Sequence, residues 1–243
     1  MLLSLQHIAK RFCGISVLLD VSCSFRDGCR YALVGANGSG KTTILNIVSG
    51  FIRADSGQAT FNGRSISGRP AVQHARNGIA RTFQSVKLFR SLSVFDNLLI
   101  ALRDKPDEVL LGALIGRPAQ LTDRWRNRIS AVLTEYNLQN YSDHLAGELS
   151  YGQQKLLHYA MATVNPFELL LLDEPVAGLQ PNSIDEMLVR LKAIDKAVVV
   201  VEHNMDFIRE LDAEVLFLAE GRIIAQGTLD EVMSEQRVRE SYL

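Results

Sequence analysis

The sequence predicts an α/β fold: a mostly parallel sheet, an antiparallel β portion, and a helical stretch inserted between the two halves of the chain. Short continuous apolar runs at 31–34 (Tyr-Ala-Leu-Val), 169–172 (four leucines) and 197–201 (one alanine, four valines) read as strands buried on both faces. Helical segments separate them, which favours parallel pairing through crossover connections. Each run ends at its C-terminal side in glycine or charge: Gly35, Asp173-Glu174 and Glu202-His203. Ligands of such sheets sit at that edge, so fold and site are predicted together.

Taken in order, residues 2–8 and 17–25 cluster or alternate apolar side chains, with Arg26-Asp27-Gly28 as a turn after the second. The run at 31–34 leads into a glycine-rich loop. Helical spacing of Ile44, Leu45 and Val48 follows, with Gly50 as a stop. Residues 58–61 ahead of Asn62-Gly63 read as another strand and turn. From about 85 to 163 strand signals vanish, and helical periodicity dominates at 94–102, 125–136 and 154–162. Residues 110–116 are apolar with glycines and carry no functional reading. Beyond the two later strands, 214–219 and 222–225 form a predicted hairpin around Glu220-Gly221.

Composition bounds the class. The chain has 243 residues, 47% of them hydrophobic and 22% charged, with a formal net charge of −1. That length supports a large buried core in one lobed domain or a core with an insertion. A near-neutral balance argues against nucleic acid as the main partner. Cys13, Cys23 and Cys29 lack the spacing of a zinc site or disulfide scaffold and read as small core or strand residues. The apolar start 1–5 is too short for a secretion signal, and no run reaches the ~18–20 residues that span a bilayer.

Residues 35–43, Gly-Ala-Asn-Gly-Ser-Gly-Lys-Thr-Thr, fit the P-loop pattern. The backbone N–H groups of Gly35, Asn37, Gly38, Ser39 and Gly40 would converge on phosphate oxygens. Thr42 and Thr43 open the helix, whose positive N-terminal end faces the same point. Lys41 would reach the β- and γ-phosphates, and the Thr42 hydroxyl would meet Mg²⁺. Asp173, at the tip of a buried strand, suits the Mg²⁺ shell, and the adjacent Glu174 is placed to polarise an attacking water. Ser150 and Gln153 have capping-box spacing ahead of a helix, and Gly152 leaves room for phosphate there. Because Lys41 serves the chain's own nucleotide, this second helix start suits the γ-phosphate held by another subunit. His203 reads as a γ-phosphate contact, Phe12 as a residue that could stack on adenine, and Gln84 stands alone as an amide.

With these residues in view, the chain resembles the ATPase subunit of an ABC transporter over essentially its whole length. The loop 35–43 looks like its Walker A, Gln84 its Q-loop, 149–153 its signature, and 169–174 its Walker B. Ala177-Gly178-Leu179-Gln180 looks like its D-loop and His203 its switch histidine. The resemblance implies a P-loop core with a β subdomain over 1–84 and 161–243, and an inserted helical subdomain over 85–160. It also implies ATP and Mg²⁺ as ligands, with Gln84 joining Thr42 and Asp173 at the metal.

Further implied are a second ATPase subunit, as homodimer or paralogous heterodimer, closing head to tail over two ATP molecules, and integral-membrane permease subunits docking near 84–97. The solute-binding protein would be an indirect partner, nucleic acid none. The chain would then lie peripherally on the cytoplasmic face of the membrane. Arg81-Thr82-Phe83-Gln84, Leu88-Phe89-Arg90, 93–98 and 201–206 are similar to importer ATPases for branched-chain amino acids, and the urea and short-amide importers share much of this pattern. Two positions depart from the family: Tyr151 replaces a glycine of the signature, and Gln180 stands where Asp or Asn is usual. A non-transport ABC ATPase is the alternative. The stretch between Lys41 and Asp173, however, has none of the heptads or cysteines of the DNA-maintenance members.

Overall fold

The computed structural model describes residues 1–103 and 123–242, so the apolar stretch 110–116 lies outside the described residues. Two compact units emerge: residues 1–81 together with 167–243, and residues 82–166. These bounds compare with the expected 1–84, 161–243 and 85–160.

The first unit holds two sheets. Strands β1 (Leu3–Phe12), β2 (Ile15–Phe25), β4 (Ser56–Phe61) and β5 (Arg64–Ser65) make an antiparallel sheet in the order β2-β1-β4-β5. Both β1 and β2 run further than the apolar pattern suggested. Their extension meets at a two-residue turn, where Cys13 (φ 47°) and Gly14 (φ 86°) both take the left-handed conformation that matches the strand twist. Cys13 is therefore an exposed turn residue and not a strand or core residue; Cys23 is buried and Cys29 half-buried.

The second sheet has the order β10-β9-β3-β8-β7-β6, with β3 (Arg30–Val34), β6 (Ile79–Arg81), β7 (Leu169–Asp173), β8 (Ala197–Val201), β9 (Glu214–Ala219) and β10 (Arg222–Gly227). All of its pairings are parallel except the β9–β10 hairpin. β7 and β8 are buried at every residue, as unbroken apolar runs require. Helix α1 (Lys41–Val48) ends at Gly50, which takes φ 76° as a left-handed helix stop. Leu33, Ile44, Leu45, Leu171, Val199 and Leu216 share one core cluster with Leu3, Leu5, Phe25 and Phe61, so α1 and both sheets bury a common interior.

This unit also contains α2 (Ala71–Arg76), and among the described residues the second unit supplies α3 (Val94–Ala101), α4 (Asp123–Glu135) and α5 (Tyr151–Thr163). The first unit resumes with α6 (Pro181–Ala193), α7 (Met205–Leu211), α8 (Leu229–Ser234) and α9 (Gln236–Tyr242). In the second unit Val94, Leu98, Ile129, Val132, Leu157 and Ala160 are buried, one stripe from each of α3, α4 and α5. The Tyr136 hydroxyl bonds Thr163 Oγ1 at 2.9 Å, and Arg128 donates to the carbonyls of Val164 and Thr163, satisfying the end of α5.

Candidate functional site

Sheet register brings the predicted residues of the first unit to one edge. Leu33 pairs with Val201, and Val201 pairs with Asp173 on its other side. The residues that follow these strand ends are Gly35, Glu202-His203 and Glu174. Strands two places apart in a sheet are separated by ~10 Å, so the loop after β3 and the carboxylates after β7 face one small volume.

The loop 35–40 is shaped by what glycine permits. A Cβ on Gly35 would lie 2.1 Å from the Leu218 carbonyl oxygen, and one on Gly40, where φ is 108°, would lie 2.6 Å from Leu18 Cδ2. Asn37 and Gly38 are exposed and Ser39 is half-buried. Gly40 caps α1 without any side-chain hydrogen bond, so the first N–H groups of the helix have no side-chain acceptor there. The buried Ser39 Oγ has no hydrogen-bond partner among the described residues. Donors left open at a helix start fit a bound phosphate.

Lys41 is buried, and its ammonium donates to the carbonyls of Gly35 at 2.7 Å and Ala36 at 2.9 Å. Burial holds this ammonium below the ordinary lysine range, while the charges of Glu174 and Asp173 counter the shift. Thr42 is exposed, Thr43 half-buried, and the Asp173 carboxylate buried. Burial pushes the Asp173 carboxyl up, opposed by Arg81, Thr42 and Lys41 and reinforced by Glu174. A hydroxyl beside a carboxylate is a hard-oxygen pair, and Mg²⁺ commonly takes one or two such donors plus substrate phosphates. Thr42 and Asp173 therefore fit that ion.

Glu174 takes φ 50°, a conformation that costs a non-glycine residue ~1–3 kcal/mol and persists only where the surroundings enforce it. Here its N–H donates to the Val201 carbonyl at 2.9 Å. Two residues on, the Val176 N–H donates to the Glu202 carboxylate at 3.0 Å. Glu202 is buried and also accepts the N–H groups of His203 (2.9 Å) and Asn204 (3.3 Å). The His203 side chain is exposed at the same edge. Gln180 sits at the N-terminal boundary of α6 and makes no side-chain cap.

A cavity of about 740 Å³ opens beside the loop. Its lining includes Asn37, Gly38 and Ser39, Ile15–Val17 of β2, the β9–β10 turn, and Arg237 and Glu240 of α9. Phe12 pairs with Ile15 across the hairpin and is 43% exposed, with Lys10 Nζ 5.4 Å from its ring centroid, but it is not among the lining residues. The sequence pattern pointed to none of the β2, hairpin and α9 positions, because they belong to three segments distant in the chain.

The second unit carries the remaining predicted residues. Ser150 and Gln153 form the predicted capping box: Gln153 N–H donates to Ser150 Oγ at 3.3 Å, and Ser150 N–H to Gln153 Oε1 at 3.0 Å. Accepting one bond leaves the serine hydroxyl proton available to an anion. Gly152 is half-buried within the first turn of α5, and Gln84 is exposed. Backbone bonds from Gly147 N–H to Arg90 O (3.0 Å) and Ala146 N–H to Leu92 O (2.9 Å) tie the segment before Ser150 to the segment after Gln84.

Residues 18–177 match the family model described as ABC transporter. The chain is 34% identical over its full length to the probable branched-chain amino acid transport ATP-binding protein LivG of Archaeoglobus fulgidus, covering 95% of that protein. It is 32% identical to the high-affinity counterpart from Salmonella typhimurium, again over its full length and 97% of that protein. Among solved structures, a nucleotide-free ATP-binding cassette from an ABC transporter superposes with a TM-score of 0.87 at 28% identity, covering 100% of this chain and 98% of that one. An ATP-binding cassette in its ADP conformation gives 0.86 at 30% identity, over 99% and 98%.

Proposed function

Since this chain belongs to the ABC transporter family, we propose that it is the ATP-hydrolysing subunit of an importer for branched-chain amino acids. The observation that carries the proposal is full-length similarity at 32–34% identity to ATP-binding proteins of branched-chain amino acid transport. It is supported by a Lys41, Thr42, Asp173 and Glu174 cluster at the sheet edge.

In this reading the loop from Gly35 to Gly40 and the start of α1 bind the phosphates of ATP. Lys41 turns its ammonium from the Gly35 and Ala36 carbonyls toward the β- and γ-oxygens. Thr42 and Asp173 would hold Mg²⁺, which when bound supplies charge neutralisation to the phosphates. Glu174, lifted out of β7 by its left-handed backbone, takes a proton from the attacking water. His203 contacts the γ-phosphate. The cavity beside the loop receives the nucleoside, with Phe12 stacking at its rim.

A second ATPase subunit, identical or paralogous, would complete the site with Ser150, Gly152 and Gln153. Permease subunits would dock on the surface from Gln84 to Asn97, placing the chain peripherally at the cytoplasmic face. Among the described residues no helix is long and apolar enough to cross a membrane. Reconstitution with its permease and binding-protein partners tests the substrate class. ATP-dependent uptake of leucine or isoleucine is the expected outcome; uptake of urea or short amides without leucine would overturn it.

A further inference from the structure

We propose that Arg81 is a positioning residue that orients the Asp173 carboxylate for the metal site; the proposal rests on Asp173 being a Mg²⁺-holding residue. Arg81 ends β6, and its side chain is 5% exposed. Its Nη1 donates to Asn46 Oδ1 and to Ser49 Oγ, both at 2.7 Å. Ser49 Oγ is itself oriented by donating to the Leu45 carbonyl at 2.6 Å. The guanidinium carbon lies 5.6 Å from the Phe51 ring centroid. One planar cation is thereby fixed against the C-terminal turn of the P-loop helix.

Its other nitrogen, Nη2, stands 3.6 Å from Asp173 Oδ2. That distance exceeds the ~2.7–2.9 Å of a full charge-assisted bond. Short bonds to Asn46 and Ser49 anchor the guanidinium, and Asp173 receives its charge and orientation from just beyond that distance. With the Thr42 hydroxyl also favouring the charged carboxylate, Asp173 stands beside a fixed cation and a prospective fellow ligand. A buried ion pair is seldom a net source of stability, so a role in placing the carboxylate accounts for it better than stability does. Partners of this kind change metal affinity by ~10–100-fold in other sites.

The test measures binding of a fluorescent ATP analogue to the full chain as free Mg²⁺ is varied, and separately in EDTA. Wild type is compared with Arg81→Gln, Arg81→Lys, Asn46→Ala and Asp173→Asn. We expect Arg81→Gln to raise the half-saturating Mg²⁺ concentration by ~10-fold or more and to leave binding in EDTA unchanged. Arg81→Lys, which cannot form the fork, should recover part of the loss. Asn46→Ala should shift the midpoint in the same direction by a smaller factor, and it carries the test if Arg81→Gln does not fold.

Equal weakening with and without Mg²⁺, an unchanged midpoint in Arg81→Gln or in Asn46→Ala, or a lowered midpoint from removal of a competing cation would each overturn the proposal. Asp173→Asn separates the two layers. If it leaves the Mg²⁺ requirement unchanged, the reading of Asp173 falls and Arg81 with it. If it shifts the requirement while Arg81→Gln does not, Arg81 alone is refuted.

Discussion

Glu202 accepts the Val176 N–H through one carboxylate oxygen at 3.0 Å while its other oxygen accepts the His203 N–H at 2.9 Å. A single buried side chain thus fixes the turn after Glu174 to the loop that presents His203. Glu202→Gln keeps the shape but turns an amide NH₂ toward one set of backbone donors. Leaving a buried donor unsatisfied costs ~1–3 kcal/mol. The expected result is a stability loss of that size by urea titration, a fall in ATP turnover, and unchanged nucleotide affinity. Unchanged turnover would show that the bridge does not position the two segments.

Lys41→Ala tests the phosphate loop. The ammonium does more than await a ligand, since it ties the Gly35 and Ala36 carbonyls. Its loss should cost ~1–2 kcal/mol, and a folded chain should persist by circular dichroism. ATP affinity should drop by at least ~10-fold, the ~1.4 kcal/mol of one lost charged contact. ATP binding at wild-type affinity would contradict the site.

His158, buried in α5, carries a pH prediction. Burial lowers its pKa from 6.5 to about 4, with the charges of Lys155 and Lys87 adding to the drop. The folded state therefore favours the neutral ring. The associated stability is fully present above pH 6.5 and is lost as pH falls toward about 4. The loss amounts to about 3 kcal/mol at most. Urea unfolding across that window should show wild type losing more than His158→Gln; parallel losses would refute it.

Arg90 tests the docking surface. It and Phe89 are exposed on a segment held by the buried Asn97, whose Oδ1 accepts Phe89 N–H and whose Nδ2 donates to the Phe89 and Ser93 carbonyls. Arg90→Glu should therefore leave the fold and the basal ATPase of the isolated chain intact. In the reconstituted transporter, uptake should fall several-fold. Equal loss of uptake and isolated turnover would point to misfolding instead.

What the sequence made legible follows from local physics. Unbroken apolar runs at 169–172 and 197–201 can only be satisfied inside a covered sheet, and both are there. The glycines of 35–40 and the Ser150 capping box announce themselves at short range. What was not legible depends on pairings distant in the chain. Arg81 reaches Asp173 because β6 aligns beside β7, and no local pattern records that register. Glu202 read only as charge after a strand, and its three backbone donors come from two separate loops. The short β6 and the turn at Cys13 escaped because three residues carry no period and a left-handed turn with cysteine lacks the usual Asn or Asp.

The most direct measurement is steady-state ATP turnover of Glu174→Gln beside wild type, with ATP binding and sizing under Mg-ATP and Mg-ADP. Turnover is expected to fall by ~10²–10⁴-fold, the usual contribution of a general base. ATP binding should be retained, with the chain captured as a dimer in ATP and not in ADP. Turnover equal to wild type, with ATP bound normally, would contradict it.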